Sequence, residues 1–400
     1  MKTIKTKPLT KEQLSQIGLG WHTDNDGSDY ISDELVVISE AEAEAYYKAG
    51  NEVYDMFVEA GEYIIENDLL HEIGIPFNLI PLVKMSWEND VHWHLYGRFD
   101  FAGGLDGKPI QLIEFNADTP TALYETAVIQ WAMLQANDMN EQRQFNNITE
   151  AIGNNFKRLI TLSEDVSDFE EKYSEYKILF SSIEGNNEEE VTTKFLQTIA
   201  RDVGFINDFE HLDKVQFSEE EGISNASDEK FEYWFKLFPW EDIAIEEGDL
   251  AHILRNIMQN QKAIILNPAY TLMFQSKGML KILYDLFPDS PYLLECRNEP
   301  LEGKKYIEKK IFGREGNNSV IYDANHEAIH TTEGPYEHYD SIYQEFVDLP
   351  QDEKGDFYQA GVFFAYESCG LGYRKGGVIL DNLSKFVGHI IEEEGKLLPR

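Results

Sequence analysis

Two apolar strands separated by an amphipathic helix occupy the middle of the chain, and this order constrains the fold most. The run YKILFSSI over 176–183 is typical of a buried strand, and KAIILNPAY over 262–270 supplies a second one. Between them, 188–204 predicts a helix with one apolar stripe, formed by Val191, Phe195, Leu196, Ile199 and Val203. Strands that alternate with helices are typical of parallel sheets, because the chain must cross over between the strands. The sequence therefore predicts a small parallel α/β layer from about 155 to 290.

Helical and strand patterns also alternate in the rest of the chain. Apolar residues at three- and four-residue steps predict a helix over 38–65, and a second helical pattern covers 121–137. Residues 91–104 and 108–120 read as two strands joined by a glycine-containing turn, and 304–334 as short antiparallel strands. The sequence has no tandem repeat and no long linker. It predicts one α/β (α+β) unit with several lobes around a single site.

The charge of the chain disfavours some partners and favours others. It carries 34 Lys and Arg residues against 73 Asp and Glu residues, a formal net charge of −39 at pH 7. Such a surface repels phosphate backbones, so we expect no nucleic-acid partner, whereas a polyamine or another cationic amine is attracted. Acidic surfaces also serve solubility alone, and the sequence leaves that alternative open.

Features of secreted and membrane proteins are missing from the sequence. The two cysteines, Cys296 and Cys369, lie far apart and in no metal-binding spacing. The basic start, MKTIKTKPLTKEQLSQIG, lacks the apolar core of a secretory signal, and no run approaches the ~20 apolar residues of a membrane span. We therefore expect a soluble, cytoplasmic protein with no membrane partner.

Acidic, amide and guanidinium side chains occur together on two neighbouring predicted strands. Arg98 and Asp100 share one strand face, and so do Glu114 and Asn116, because side chains at i and i+2 point to the same side. If the strands pair, one surface collects two carboxylates, an amide oxygen and an arginine. Such oxygen ligands suit Mg²⁺, and the arginine would neutralise charge that develops during phosphoryl or acyl transfer. A solvent-facing hairpin with cross-strand ion pairs is the alternative.

A lysine precedes a glycine-flanked turn in KKIFGREG, residues 309–316. Backbone N–H groups of such a turn can approach phosphate oxygens, although a plain hairpin turn fits equally well. Lys277 ends another apolar run and, taken alone, reads as a surface lysine. The sequence contains no GxxxxGK[ST] loop, no GxGxxG after a strand and no kinase motif. A nucleotide must therefore be held in another way.

The string HEAIH at 326–330 matches the zinc-binding pattern HExxH in letters. That motif works only on a helix, which places both imidazoles on one face. Here the string follows a strand-like SVIYD and runs into Thr-Thr-Glu-Gly-Pro, which is poor helix context. We therefore expect a hairpin at His326 and His330. We also expect no zinc at His92 and His94, which share a strand face without a third ligand.

Taken together, these strings resemble the synthetase domain of the glutathionylspermidine synthase family, a member of the ATP-grasp superfamily. The resemblance runs from about Trp21 to about His389. It is carried, in order, by GRFDF, IEFNADTP, FKLFPWE (235–241), NPAY…SKG, KKIFGREG, IYQE (342–345) and SCGLGYR (368–374). The resemblance implies an ATP- and magnesium-dependent enzyme. It would join a carboxylate to an amine through an acyl phosphate, with release of ADP and phosphate.

The resemblance also implies where magnesium and ATP bind. The family's magnesium-binding acidic and amide positions correspond to Asp100, Glu114 and Asn116. The family's two phosphate-binding lysines correspond to Lys277 and Lys309, and the glycine turn of its phosphate-covering lid corresponds to Gly316. Its adenine pocket corresponds to Tyr343 and Gln344. Because the second lysine motif reads Lys-Lys, Lys310 is an alternative to Lys309 for the ATP contact.

Two arginines match family positions that act on the other substrates. Arg98 matches a catalytic arginine that stabilises the acyl phosphate and the tetrahedral intermediate, and Arg374 matches one that holds the acid substrate. The acid would be a small-molecule or peptide carboxylate, and the amine a polyamine or another amine. The family name does not fix either identity, because stand-alone members need not make glutathionylspermidine.

The resemblance implies that residues 1–400 form a single ATP-grasp-type ligase unit. Within it, 1–150 would be the substrate- and magnesium-binding part, 155–290 a pre-ATP-grasp-like layer, 300–350 the ATP lid and 351–400 a C-terminal catalytic part. Only about 20 residues precede Trp21, so we expect none of the amidase domain that bifunctional members carry.

Two other functions remain open from the sequence. A non-catalytic ATP-grasp-like protein would bind a nucleotide without turnover, although the retained acidic and lysine residues argue against it. A phosphotransferase would stop at a stable phosphorylated product instead of forming an amide.

Overall fold

The computed structural model describes residues 1–392, which form four β-sheets with helices packed against them. Its strands are β1 (Thr3–Lys5), β2 (Ile31–Ile38), β3 (Gly97–Ala102), β4 (Gln111–Asn116), β5 (Lys177–Ser182), β6 (Ile206–His211), β7 (Gln216–Ser218), β8 (Gly222–Ser224), β9 (Lys230–Phe231), β10 (Tyr233–Lys236), β11 (Ile264–Leu266), β12 (Cys296–Arg297), β13 (Tyr306–Lys310), β14 (Val320–Tyr322), β15 (Ala328–Thr331), β16 (Ser341–Glu345), β17 (Phe357–Ala365), β18 (Glu367–Gly376) and β19 (Lys385–Ile391). Its helices are α1 (Lys11–Gln16), α2 (Glu40–Glu66), α3 (Ile80–Trp87), α4 (Gln130–Ala136), α5 (Ile148–Thr161), α6 (Phe169–Lys172), α7 (Asn187–Asp202), α8 (Trp240–Glu246), α9 (Gly248–Gln259), α10 (Thr271–Gln275) and α11 (Gly278–Leu286). Residues 393–400 of the C-terminal part predicted over 351–400 lie outside the described residues.

The largest sheet has seven strands in the order β1-β2-β19-β18-β17-β3-β4, and only the β19–β2 pair is parallel. The predicted long helix, α2, packs on β17 and β18. It begins at Ser39, whose hydroxyl accepts from the N–H of Glu42 while the Glu42 carboxylate accepts from the N–H of Ser39. Its buried stripe includes Val53 and Phe57. No helix within 1–392 is both long and apolar enough to cross a membrane.

The predicted parallel layer is confirmed. Strands β11, β10, β5 and β6 form a four-stranded sheet in which every neighbouring pair is parallel. Helix α7 packs on β5 and β6 through its apolar stripe, where Leu196 and Ile199 are buried. The sequence pattern missed two of these strands. The edge strand β6 has no fully buried residue, and β10 has only four residues.

A five-stranded antiparallel sheet, in the order β12-β16-β13-β14-β15, contains the HEAIH string. Strands β14 and β15 form a hairpin, and His326 lies in its turn with φ +63°. His330 lies on β15, opposite Ile321. The predicted hairpin is therefore confirmed, and the two imidazoles do not share a helix face.

The side chain of Asn267 joins the parallel sheet to the seven-stranded one. It is fully buried, and its Oδ1 accepts from the N–H of Leu95 at 2.8 Å. Its Nδ2 donates to the carbonyl oxygens of Tyr96 at 3.0 Å and Asp118 at 2.8 Å. The NPAY string thus holds the residues just before the GRFDF strand and the end of the IEFNADTP segment.

A buried ion pair lies beside this junction. Lys236, at the end of β10, donates from Nζ to Asp118 Oδ1 at 3.1 Å and to the carbonyl of Phe238 at 2.7 Å. Asp118 Oδ2 also accepts from the N–H of Trp240 at 2.9 Å, where α8 begins. Burial raises the pKa of Asp118 and lowers the pKa of Lys236. Each charge therefore depends on the other to remain ionised.

Removing one member of this pair should destabilise the fold. We expect Lys236→Met to lower the free energy of unfolding by about 3–5 kcal/mol, because Asp118 would stay buried without its counter-charge. The double variant Lys236→Met with Asp118→Asn should recover much of that loss, since neither charge is then buried. Denaturant unfolding of the wild type, both single variants and the double variant measures the coupling. If Lys236→Met had the same free energy of unfolding as the wild type, the predicted dependence of Asp118 on Lys236 would be wrong.

Candidate active site

One cavity lies between the β3–β4 edge of the large sheet, the five-stranded sheet and the segment before α11. Nine of the ten site residues predicted from the sequence line it, namely Arg98, Asp100, Glu114, Asn116, Lys277, Lys309, Gly316, Gln344 and Arg374. Lys310 and Arg314 also line it, so six cationic side chains converge in a chain whose net charge is −39. This concentration of positive charge suits a ligand that carries several negative charges.

The two predicted strands pair, and their register brings the predicted residues onto one surface. Asp100 lies opposite Glu114, and Arg98 lies opposite Asn116. Arg98 donates from Nε to Asp100 Oδ1 at 2.7 Å and from Nη2 to Oδ2 at 3.0 Å, a bidentate pair that fixes the guanidinium. The amide nitrogen of Asn116 lies 3.2 Å from Asp100 Oδ2 and 3.5 Å from Glu114 Oε1. It therefore bridges the two carboxylates.

Nearby cations hold Glu114 in its ionised form. Lys277 Nζ lies 3.0 Å from Glu114 Oε2 and donates to the carbonyl of Gly313 at 2.6 Å. Burial alone would raise the pKa of Glu114, but the charges of Lys277, Lys309 and Arg98 lower it to about 2. Lys277 is only 7% exposed, so its interpretation as a surface lysine is wrong.

Lys309 and Lys310 follow one another on β13 but have different partners. Lys309 is buried and donates to Gln344 Oε1 at 2.8 Å. Burial lowers the pKa of Lys309 to about 8, although the Glu114 carboxylate opposes this shift. Lys310 is only half-buried, and it donates to Ser341 Oγ at 3.0 Å. Lys309 is thus the lysine that lies against the carboxylates.

Gln344 and Tyr343 lie on opposite faces of the five-stranded sheet, because neighbouring residues on a strand point to opposite sides. Gln344 lines the cavity, but both ends of its amide have partners, since Nε2 donates to the carbonyl of Leu112 at 3.1 Å and Oε1 accepts from Lys309. Tyr343 packs on Tyr306 on the outer face, with ring centroids 5.9 Å apart. The structure therefore does not bring Tyr343 to the cavity, and this corrects the predicted pairing of the two residues.

The glycine turn at 313–316 closes one side of the cavity. Gly316 has φ +66°, and a Cβ there would lie 2.6 Å from a backbone carbonyl oxygen, so glycine is required. Arg314 donates to Glu241 on α8 and, at 3.2 Å, to Thr119 Oγ1. The enclosed space is about 190 Å³, smaller than the ~300–1,000 Å³ of typical ligand pockets. The turn therefore lies over one side of this space.

A group of carboxylates that no sequence pattern indicates lies beside Arg374. Glu125 is fully buried, and its Oε1 accepts from Trp21 Nε1 at 2.9 Å and Tyr30 Oη at 3.0 Å. Its Oε2 has no hydrogen-bond partner within the described residues. Burial and the charge of Glu125 raise the pKa of Glu188 to about 8, although Arg374 opposes this shift. These carboxylates are poorly neutralised by the protein itself.

Arg314 has acidic neighbours of the same kind. Glu241, which is paired with Arg314, has one oxygen, Oε2, that accepts no hydrogen bond within the described residues. Burial raises the pKa of Glu189 to about 7 and the pKa of Asp242 to about 6, although Arg314 opposes both shifts. In the sequence, the glutamates that begin α7 look like ordinary helix-start charges. Their partners come from distant segments, so spacing could not reveal the group.

The donor set formed by Asp100, Glu114 and Asn116 fits a magnesium ion. The Asn116 amide N–H groups occupy the place between two carboxylates to which a cation is attracted, and a rotated amide would present its oxygen instead. Among residues 1–392, no three His, Cys, Asp or Glu side chains cluster closely enough to hold a metal ion by themselves. Mg²⁺ commonly takes one or two protein carboxylates and completes its shell with water and phosphates, and this set offers two carboxylates.

The sequence is similar to those of proteins that are named as ligases or synthetases. The family profile described as glutathionylspermidine synthase preATP-grasp matches residues 1–392. A Haemophilus influenzae protein provisionally named acid–amine ligase is 28% identical over 400 residues, which covers 96% of this chain and 97% of that protein. The Escherichia coli bifunctional glutathionylspermidine synthetase/amidase is 24% identical over 82% of this chain, and the match spans only 54% of that longer protein.

Among solved structures, a glutathione synthetase-like effector from Globodera pallida has a similar fold. The TM-score is 0.55 at 10% sequence identity, and the match covers 89% of this chain and 88% of that one. At this identity the likeness concerns the fold alone, and it agrees with the predicted mixed α/β architecture. Because the family profile spans nearly the whole sequence, this chain belongs to the glutathionylspermidine synthase family.

Proposed function

We propose that the protein is an ATP-dependent acid–amine ligase that forms an amide bond through an acyl phosphate, releasing ADP and phosphate. The observation that carries the proposal is the cavity in which lysines and arginines converge on two carboxylates beside a glycine turn. A free carboxylate is a poor acyl donor because oxide is a poor leaving group, so it must first be activated. Phosphoryl transfer depends mainly on alignment and on neutralisation of charge, which this set of side chains would supply.

Lys277 and Lys309 would bind the phosphates of ATP. Both are buried in the cavity, and a phosphate beside Lys309 would favour its charged form and so raise its pKa again. The turn that contains Gly316 would open to admit ATP and then cover the phosphates. Gln344 would orient Lys309 through its amide oxygen, 2.8 Å away. Apolar side chains at the same end of the cavity, including Ile307, would face the adenine.

Arg98 and Arg374 would hold the acid substrate and stabilise the charge that develops on it. Arg98 is fixed by Asp100 and by its donation to the carbonyl of Thr121 at 2.6 Å, so it needs little reorganisation during the reaction. Arg374 donates to the carbonyl of Asp381. Both line the same cavity as the two lysines. A carboxylate held by the arginines would therefore lie close to the phosphates.

Asp100, Glu114 and Asn116 would hold Mg²⁺, which, when bound, neutralises phosphate charge. The low pKa of Glu114 keeps this ligand ionised at neutral pH. In the absence of the ion, Lys277 and the Asn116 amide compensate the same carboxylates. This arrangement supports a site in which Mg²⁺ would replace Lys277 and the Asn116 amide nitrogen as the positive partner of the carboxylates when ATP and metal bind.

A cationic amine would bind beside the carboxylates Glu125, Glu188 and Glu189. One Glu125 oxygen has no hydrogen-bond partner within residues 1–392, and an ammonium group would provide one. A bound ammonium group would lower the raised pKa of Glu188, about 8, and so favour its carboxylate form. That carboxylate could then accept the proton that the amine must lose before it attacks the acyl phosphate. The name of the E. coli relative contains spermidine, which supports a polyamine as one candidate.

The first test is a phosphate-release screen with ATP, Mg²⁺ and pooled acids and amines. We expect release that requires one acid and one amine together, and Glu114→Ala should reduce it at least about 100-fold by removing a metal ligand. Glu150→Ala removes an exposed carboxylate elsewhere and is the matched control. ATP binding without release in any pool would favour a nucleotide-binding protein. Normal turnover of a folded Glu114→Ala protein would contradict the site.

The second test separates the two adjacent lysines. Lys309→Ala should lower kcat/KM for ATP by about 100-fold or more, because a buried charge that faces the phosphates is lost. Lys310→Ala, the matched control, should lower it much less, since that side chain is half-buried and bonded to Ser341. Steady-state kinetics of both variants gives the comparison. A larger loss in Lys310→Ala would transfer the phosphate contact to that residue.

A further inference from the structure

A second hollow lies on the outer face of the five-stranded sheet, on the opposite side from the cavity. It encloses about 500 Å³ and is open to solvent on one side. Two features that the proposed reaction leaves unexplained meet here, Tyr343 and His326 of the HEAIH string. Successive side chains on β13 and on β16 point to opposite faces of the sheet. Glu308 and Tyr343 therefore face this hollow, while Lys309 and Gln344 face the cavity.

The wall of the hollow is aromatic. Tyr306 is stacked on Tyr322 with ring centroids 5.0 Å apart and an interplanar angle of 21°. Tyr343 stands at 70° to Tyr306, 5.9 Å away, and His326 lies 5.7 Å away on another side. The hydroxyl of Tyr306 and Nδ1 of His326 are 2.9 Å apart, which fixes the imidazole. Three tyrosine rings and an imidazole therefore form one wall of the hollow.

Carboxylates complete the hollow, at Glu299, Glu302 and Glu308. Glu308 is fixed because Tyr322 Oη donates to one of its oxygens at 3.1 Å and Ser341 Oγ donates to the other at 2.7 Å. Within residues 1–392, no lysine or arginine lines the hollow. The nearby Lys304 is engaged by Glu295 at 2.8 Å and Glu345 at 2.9 Å, outside the lining. Apart from His326, whose Nε2 lies 3.4 Å from Glu302 Oε2, no basic side chain among residues 1–392 lines the hollow beside these carboxylates.

We propose that this hollow binds the ammonium group of a small organic cation, such as a di- or polyamine. Aromatic faces attract cations through the ring quadrupole, and carboxylates around an aromatic wall strengthen that attraction. A metal ion would leave the ring faces unused, and the described residues offer no cluster of three His, Cys, Asp or Glu ligands there. An anion would be repelled. The proposal concerns binding alone and does not depend on the ligase reaction.

The probes are spermidine and tetramethylammonium, and the measurement is a saturation-transfer NMR titration with the full chain. Tetramethylammonium has no N–H and cannot act as a nucleophile, so its binding reports cation recognition and not turnover. We expect both probes to bind, and added salt to weaken the binding. Hydrogen exchange with spermidine should show protection at 320–326, which carries Tyr322 and His326. Protection around Glu188 instead would locate the amine at the proposed active site.

Two variants and one control test the hollow. Tyr343→Leu should weaken tetramethylammonium binding about two- to fivefold, the effect of one cation–aromatic contact at an exposed site. Glu302→Gln should weaken it as well and reduce its salt dependence, and Glu302 is 91% exposed, so the fold should tolerate the change. Glu59→Gln removes an exposed charge elsewhere and should have no effect.

Unchanged binding in the double variant Tyr343→Leu with Glu302→Gln would overturn the proposal. No detectable binding of either probe to the wild type would overturn it too. A lysine-rich peptide that binds the hollow while both small probes fail would show that the cation belongs to a protein partner. That result would refute the small-cation assignment. None of these outcomes depends on whether the chain releases phosphate from ATP.

Discussion

The rest of the site depends on the attraction between the carboxylate of Glu114 and the basic side chains around it. The carboxylate is enclosed by Lys277, Lys309 and Arg98, and their combined charge overcomes the cost of its burial. Burial lowers the pKa of Lys309, and the Glu114 carboxylate opposes that shift. The same lysines reach further, since Lys277 donates to Gly313 in the glycine turn and Lys309 to Gln344 on β16. This one carboxylate and its two lysines thus link the β3–β4 edge, the turn and the five-stranded sheet.

The cavity and its surroundings carry opposite charge, and this division is consistent with two kinds of ligand. Six cationic side chains face the cavity of a chain with net charge −39. Beside them lie the fully buried Glu125 and the half-buried Glu188 and Glu189, and removal from solvent raises the pKa values of all three. Anionic phosphates and a carboxylate suit the first environment, and a cationic amine suits the second. A ligase that joins an acid to an amine needs both environments next to each other.

The local patterns of the sequence predicted much of this arrangement. Alternation along β3 and β4 placed Arg98, Asp100, Glu114 and Asn116 on one surface, because strand period depends only on backbone geometry. The resemblance added Lys277 and Lys309, whose spacing alone was uninformative. It also paired Tyr343 with Gln344, although adjacent strand residues must diverge. The acidic group around Glu125 escaped notice, because its members come from segments that only the tertiary fold brings together.

In the proposed reaction, ATP phosphorylates the acid before the amine attacks. The most direct measurement uses an acid substrate in which both carboxylate oxygens are ¹⁸O, together with ATP and the amine. One carboxylate oxygen attacks the γ-phosphorus, and the amine later breaks the bond between this oxygen and the acyl carbon. We therefore expect the released phosphate to carry one ¹⁸O atom by mass spectrometry. Amide formation accompanied by unlabelled phosphate would contradict the acyl-phosphate mechanism.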